Sequence, residues 1–351
     1  MSALGRARAL ARDVAGASGA LALRHRLRND ATLTVLMFHR VVTPGTPPAA
    51  RADPTYTMPA PLFATCLRFL ARHYHVVPLA AVLASRAGGP ALPKRALLIT
   101  FDDGWADNLA VAAPLLRACG LPAALFIATA PVADPADCWW QEVLLRALRE
   151  GRADFATLWS AAGAAPPVPS PPPAERGLHL LLRYAALDPA MRAAALAPYQ
   201  DAAMAGEGRH MLRPDDLPAL AEAGVTIGAH GADHVPLSLL ADPAPDLAAC
   251  RRALAAWLPE GAPPALSFPH GRYGPAAVAA ARAAGFSLLF TSDTCLNALA
   301  AGRPAGLLGR ISVEASGIAD AAGRFAPARA ATWLFHRPVR RLDDSLLRPA
   351  A

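Results

Sequence analysis

The stretch Arg95-Ala96-Leu97-Leu98-Ile99-Thr100-Phe101-Asp102-Asp103-Gly104 decides how this chain reads. A short apolar run without polar interruption is a strand buried on both faces, as in a parallel sheet. Successive side chains of a strand point to opposite faces, so two aspartates inside it would be held apart. At its C-terminal end, with Gly104 loosening the turn, both can face one cleft. Carboxylates that close resist joint ionisation unless a cation neutralises one of them. The pair therefore reads as one metal ligand and one carboxylate left free to act as a general base.

A second apolar strand, Val225-Thr226-Ile227-Gly228-Ala229, ends in His230-Gly231-Ala232-Asp233-His234. Histidines at i and i+4 share one face of a helical turn, or meet in a tight loop after a strand. Two imidazoles and one carboxylate leave a coordination position open, the arrangement of catalytic rather than closed structural zinc sites. Taken singly, each motif has a plain explanation: a surface or core histidine, and a solvated turn. Their occurrence together, each at the end of an apolar strand, is what points to a metal-dependent hydrolase.

Thr100-Phe101-Asp102-Asp103-Gly104 and His230-x3-His234 resemble the first two motifs of the polysaccharide deacetylases, the carbohydrate esterase family 4 or NodB-homology group. The resemblance runs over about residues 32 to 314, in order. It implies an α/β fold, a distorted barrel of the (β/α)7 type, and hydrolysis of N-acetyl or O-acetyl groups on an oligo- or polysaccharide. By the same analogy Asp102 is the base, and Asp103, His230 and His234 hold a divalent metal. Zinc suits those ligands best, with Co2+, Ni2+ and Mn2+ admitted.

The third motif departs from the family pattern. Where relatives carry Arg-x-Pro-Tyr-Gly, this chain has Ser267-Phe268-Pro269-His270-Gly271-Arg272-Tyr273-Gly274. The Pro-x-Gly turn survives, which keeps a backbone oxyanion donor at His270 open. The His270 ring reads equally as a second acid, a sugar-stacking ring or a replacement for Tyr. The arginine that orients the catalytic Asp is missing, and Arg310 in Leu308-Gly309-Arg310-Ile311 is either its substitute from another strand end or a surface residue. Trp105 reads as a substrate contact, Tyr273 and Asn297 as weaker ones, and Trp139-Trp140 as packing or a sugar platform in an inserted segment.

For the general acid, His39 ends the first apolar run, 32–38, and strand ends of a parallel barrel converge on one face. The resemblance to circularly permuted family members, whose acid comes from the first strand, favours it over His336 in Leu334-Phe335-His336. A buried histidine capping a strand is the alternative. N-acetyl is favoured over O-acetyl, and because an amide nitrogen leaves poorly without a proton, loss of His39 should hurt N-deacetylation strongly. A catalytically inactive glycan-binding relative, or an amide hydrolase acting on a non-sugar substrate, stand as other readings.

The chain has 351 residues, of which 54% are hydrophobic and 6% aromatic, enough for one barrel with an insertion. Strands at 225–229, 265–268, 286–291 and 307–313 alternate with helices at 217–223, 246–258 and 275–284. Regular order breaks over about 138–212, where the proline-rich stretch 161–173 forbids helix and reads as an exposed linker. The five cysteines lack CxxC pairing and read as reduced thiols, which favours a cytoplasmic setting. Net charge is +7, and residues 1–30 and 324–351 each carry six arginines against two aspartates. The basic arm and tail are either peripheral contacts for an anionic membrane or acidic glycan, or solubilising ends. Nucleic-acid binding is not expected, since the arginines are not interleaved with aromatics. Neither a signal peptide nor a membrane span stands out.

Overall fold

The computed structural model describes residues 11–12, 14–134, 138–206 and 208–342. Residues 1–10 and 343–351, the outer parts of the basic arm and tail with Arg6, Arg8 and Arg348, lie outside the described residues. The chain divides into two compact units: Met1–Thr129 with Pro214–Ala351, and Ala130–Arg213.

The first unit is an α/β barrel. Helix α1 (Ala20–Asn29) leads into strand β1 (Thr32–Phe38), followed by β2 (Arg40–Val42), β3 (Thr57–Pro59), β4 (His75–Val76), β5 (Ala96–Phe101) and β6 (Ala123–Ile127). Helices α2 (Ala60–His73), α3 (Leu79–Arg86) and α4 (Ala113–Cys119) lie between them. After the second unit come α5 (Leu217–Glu222), β7 (Val225–Ala229), α6 (Ala244–Trp257), β8 (Ala265–Ser267), α7 (Pro275–Ala283), β9 (Leu288–Phe290), β10 (Leu296–Ala298), β11 (Leu307–Leu308), β12 (Ile311–Ser312), α8 (Pro327–Phe335) and β13 (Val339–Arg340).

Strands pair in parallel in the order β11-β9-β8-β7-β6-β5-β1. The expected single strand at 307–313 is in fact two. β11 pairs with β9, whereas β12 pairs with β1 at the other edge, so the step through Gly309 and Arg310 closes a ring of seven staves. Gly309 permits that step because a Cβ there would lie 2.4 Å from the Asp293 carbonyl oxygen. Asn297 completes it: its side chain accepts from the Gly309 N–H at 2.8 Å and donates to the Gly309 and Leu33 carbonyls. Asn297 is 3% exposed and structural, which corrects its reading as a sugar contact. The sequence reading also passed over helix α8 and the strands β10, antiparallel to β1, and β13, which extend the sheet beside β1.

One core cluster shows which side chains face the barrel interior. Leu33 and Val35, Ala96 and Leu98, Ala124 and Phe126, Ala265, Leu288 and Phe290, and Leu308 pack together. Within each strand these share one parity, the period of a pleated strand. Extending the phase places His39 after β1, Asp102 after β5, His230 after β7 and Ser267 on β8 at the same C-terminal mouth. Both faces of β1 and β5 are buried, which is why neither sequence alternates.

The second unit is helical, with Trp140–Arg149, Phe155–Ala161, Arg176–Ala185 and Pro189–Met204 packed on Val143, Leu144, Leu158, Leu180, Tyr184 and Leu196. Asp154 and Asp188 cap helix N-termini by accepting backbone N–H groups. Trp139 is buried, and Trp140 packs on this core beneath the Arg192 guanidinium. All five cysteines are free thiols. Among the described residues no helix is long and apolar enough to cross a membrane.

Candidate active site

Asp103, His230 and His234, remote in sequence, converge so that one ligand atom from each lies within 4.8 Å of the others. Asp103 Oδ1 is 3.3 Å from His234 Nε2 and 3.5 Å from His230 Nε2. The two Nε2 atoms are 3.2 Å apart. His230 Nδ1 faces the Ser267 carbonyl at 2.8 Å. A carbonyl only accepts, so Nδ1 carries a proton, which leaves Nε2 as the nitrogen that would coordinate an ion. Two imidazole nitrogens and one carboxylate oxygen thus fit a divalent ion with an open position.

Backbone conformation brings the ligands round. Asp103 would face away from Asp102 in an extended strand, but its φ of 79° turns it into the mouth, and His234 has φ 53°. With His270 at φ 56°, three of the five left-handed non-glycine residues among those described lie at this site. Such residues are held there only by surrounding contacts. For the histidine loop the contact is Asp246, in the first turn of α6, which accepts the N–H groups of Ala232 (2.9 Å) and Asp233 (3.2 Å).

Asp102 stands apart from the triad as the free carboxylate. It is 2% exposed, and Arg310 grips it through Nη1 to Oδ1 and Nη2 to Oδ2, both 2.7 Å. Arg310 also donates to Ser267 Oγ (2.8 Å) and to the Thr291 carbonyl (3.0 Å). It is 1% exposed, so its reading as a surface residue falls. The arginine absent from the third motif is supplied from the Gly309-Arg310 closure of the barrel. Ser267 Oγ lies 3.3 Å from Asp102 Oδ2, and His230 Nε2 lies 3.8 Å from it.

Charge follows geometry. Burial alone would raise the Asp102 carboxyl, but the Arg310 guanidinium and His230 outweigh it and hold it below the usual range. Burial is likewise overcome at Asp103, where the facing imidazoles hold the carboxyl well below its ordinary value. Against its burial, His230 is raised by Asp102 and Asp103, whereas burial prevails at His234 and lowers it.

His39 follows β1 at the same mouth. Its carbonyl accepts from Asn108 Nδ2 at 2.8 Å. Asn108 opens a π-helical turn, Asn108–Ala112, of the kind often found at functional sites. By contrast His336 caps α8 beside Arg24 and Arg28, at the N-terminal end of the barrel strands, far from the carboxylates.

Trp105 is not the sugar contact the sequence suggested. It is 4% exposed, its indole N–H donates to Asp103 Oδ2 at 2.9 Å, and the Arg40 guanidinium covers its ring at 4.1 Å. Arg40 in turn pairs with Asp107 at 2.7 Å. This relay steadies the Asp103 carboxylate from behind. The half-exposed Tyr273 spends its hydroxyl on Asp293 (2.7 Å) and stacks on Phe268, so it braces the turn. The His270 ring lies 4.5 Å from that of His234, and burial, reinforced by His234, drops its pKa to about 3.

Sequence reasoning assigned no role to Ser267, Arg40, Asp107, Asp246 or Tyr56. The only local hint was a second acidic residue four positions beyond Asp103. Tyr56, 52% exposed, sets its ring edge-on to His39 at 4.9 Å. No signal in the sequence places it there.

A barrel with this triad and a free gripped carboxylate defines a class. The family model for polysaccharide deacetylase matches residues 191–289, which include His230, His234 and His270. The match bears out the resemblance drawn from the motifs. No curated protein sequence matches the chain. Among solved structures, the Streptococcus pyogenes deacetylase PplD, in complex with acetate, is similar with TM-score 0.55 and 15% identity, over 86% of this chain and 98% of that one. IcaB from Ammonifex degensii is similar with TM-score 0.53 and 20% identity, over 87% and 97%. The Bacillus cereus polysaccharide deacetylase BC0361 gives 0.53 and 10%, over 86% and 69%. These likenesses concern the fold.

Proposed function

We propose that this chain is a metal-dependent hydrolase that removes acetyl groups from a glycan, N-acetyl in preference to O-acetyl. The observation that carries the reading is the fork of Arg310 on Asp102 beside the Asp103-His230-His234 cluster. Asp103, His230 and His234 would hold the ion, zinc by the chemistry of the donors, with Co2+, Ni2+ or Mn2+ also accommodated. Such an ion supplies positive charge that acidifies water and offsets the charge developing on the acyl oxygen.

The chain's own groups do the rest. Asp102, held ionised and aimed by Arg310, accepts a proton from the attacking water. His39 gives a proton to the departing amine, which would otherwise leave poorly, and the His270 turn offers a backbone N–H to the oxyanion. Acetate, present in the streptococcal relative's structure, is the acid this reaction would release. The inactive-relative reading rested on the missing arginine, and Arg310 removes that ground. Five free thiols support a reducing, cytoplasmic setting.

The test is acetate release from a panel of N- and O-acetylated oligosaccharides by zinc-loaded protein, with Asp102→Asn as control. Acetate released from N-acetylated sugars by the wild type alone supports the proposal. Turnover confined to non-sugar amides, or none from any substrate with the ion bound, overturns it.

A further inference from the structure

We infer that α1, with the segment 337–341, forms a docking face for the anionic surface of a lipid bilayer. The reasoning starts from how the helix is fastened. Leu21, His25 and Asn29, one turn apart, form its buried stripe. His25 stacks on Phe335 at 3.9 Å, Asn29 Nδ2 donates to the Phe335 carbonyl at 3.1 Å, and Arg28 donates to the carbonyls of Phe335 (3.3 Å) and Arg337 (3.0 Å). With one face so anchored, the other is fixed outward.

That outward face pairs exposed apolar and cationic side chains. Leu23 and Leu27, one turn apart, are 58% and 79% exposed. Arg24, Arg26 and Arg28 surround them, all exposed, and the helix sequence ALALRHRLRN contains no acid. Beside them, reached through the Arg28–Arg337 bond, runs Arg337-Pro338-Val339-Arg340-Arg341, in which Val339, Arg340 and Arg341 are exposed. Single exposed leucines are ordinary on protein surfaces. A leucine pair ringed by arginines, on a helix already fixed in place, is the pattern of an interfacial helix, whose apolar side chains enter the headgroup boundary while its cations meet anionic lipid. Nucleic acid would use the arginines but leave the leucines without a role.

The placement has a consequence. α1 enters the barrel at Thr32, and β13 joins it through β10, which pairs with Thr32 and Leu33. The last turn of α1, with Leu27 and Arg28, and the segment 337–341 therefore lie toward the N-terminal ends of the strands, with Asp102 and His230 at the opposite ends, about 20 Å along β1.

The experiment is co-sedimentation of the full chain with vesicles of pure phosphatidylcholine and of phosphatidylcholine with about a third phosphatidylglycerol. Expected is binding to the anionic vesicles only, weakening as salt is raised. The double variant L23Q/L27Q and the double variant R24Q/R26Q should each reduce binding by about tenfold with an unchanged urea midpoint. No binding, equal binding to neutral vesicles, or binding that neither variant alters overturns the inference. So does tighter binding to duplex DNA that is indifferent to L23Q/L27Q.

Discussion

Arg310 and Asp102, 208 positions apart in sequence, meet as a two-point pair, each guanidinium nitrogen 2.7 Å from its own carboxylate oxygen. Planar forks suit carboxylates in a way that a point charge does not. Arg310→Lys should therefore keep the charge, lose the aim and lower turnover by about 10- to 100-fold while the protein stays folded. Arg310→Met strands a buried carboxylate and should cost about 3–5 kcal/mol in urea unfolding. If Arg310→Met unfolds at the wild-type midpoint, the pair is not what holds Asp102.

Asp102 binds no ion in the proposed scheme, whereas Asp103 does. Asp102→Asn should retain metal at one equivalent per chain, measured by mass spectrometry of the digested protein, with turnover down about 100- to 10,000-fold. Asp103→Asn should lose metal and turnover together. Reversed phenotypes would exchange the two roles.

In the proposed scheme Trp105 supports the ion through its hydrogen bond to Asp103. Trp105→Phe keeps the ring under Arg40 and removes one N–H, so metal affinity should fall by about 10- to 100-fold, with activity restored at high zinc. An unchanged affinity in a chelator competition would reduce the indole to filler.

Tyr56 is the exposed aromatic ring beside His39. Tyr56→Ala should raise KM by several-fold, consistent with about 1 kcal/mol of lost ring contact, and leave kcat within a factor of two. A fall confined to kcat would instead assign the ring to His39.

His25 governs a pH effect on stability away from the site. Burial, with help from Arg95 and His73, takes its pKa from 6.5 to about 3. The unfolded chain therefore binds a proton between those values that the folded chain refuses, so stability is full above pH 6.5 and declines as pH falls. From pH 7 to 5 the loss should be about 2 kcal/mol. His25→Gln, which keeps an acceptor for Asn29, should show a correspondingly flatter urea-midpoint profile; an identical slope would mean that His25 is not buried neutral.

The sequence by itself determined the strand-and-helix order of the barrel, the Asp102-Asp103 and His230-His234 clusters and the first-strand histidine, because each rests on local patterns: an apolar run, a strand end, a spacing of four. Only the tertiary structure brought Arg310 onto Asp102, since the step that turns it inward exists only where β11 and β12 grip opposite edges of the ring. It also turned Trp105 and Asn297 from surface contacts into buried supports, and brought Tyr56 to His39. Those roles depend on which residues meet across long stretches of chain, and that is set by closure of the barrel and not by any window of neighbours.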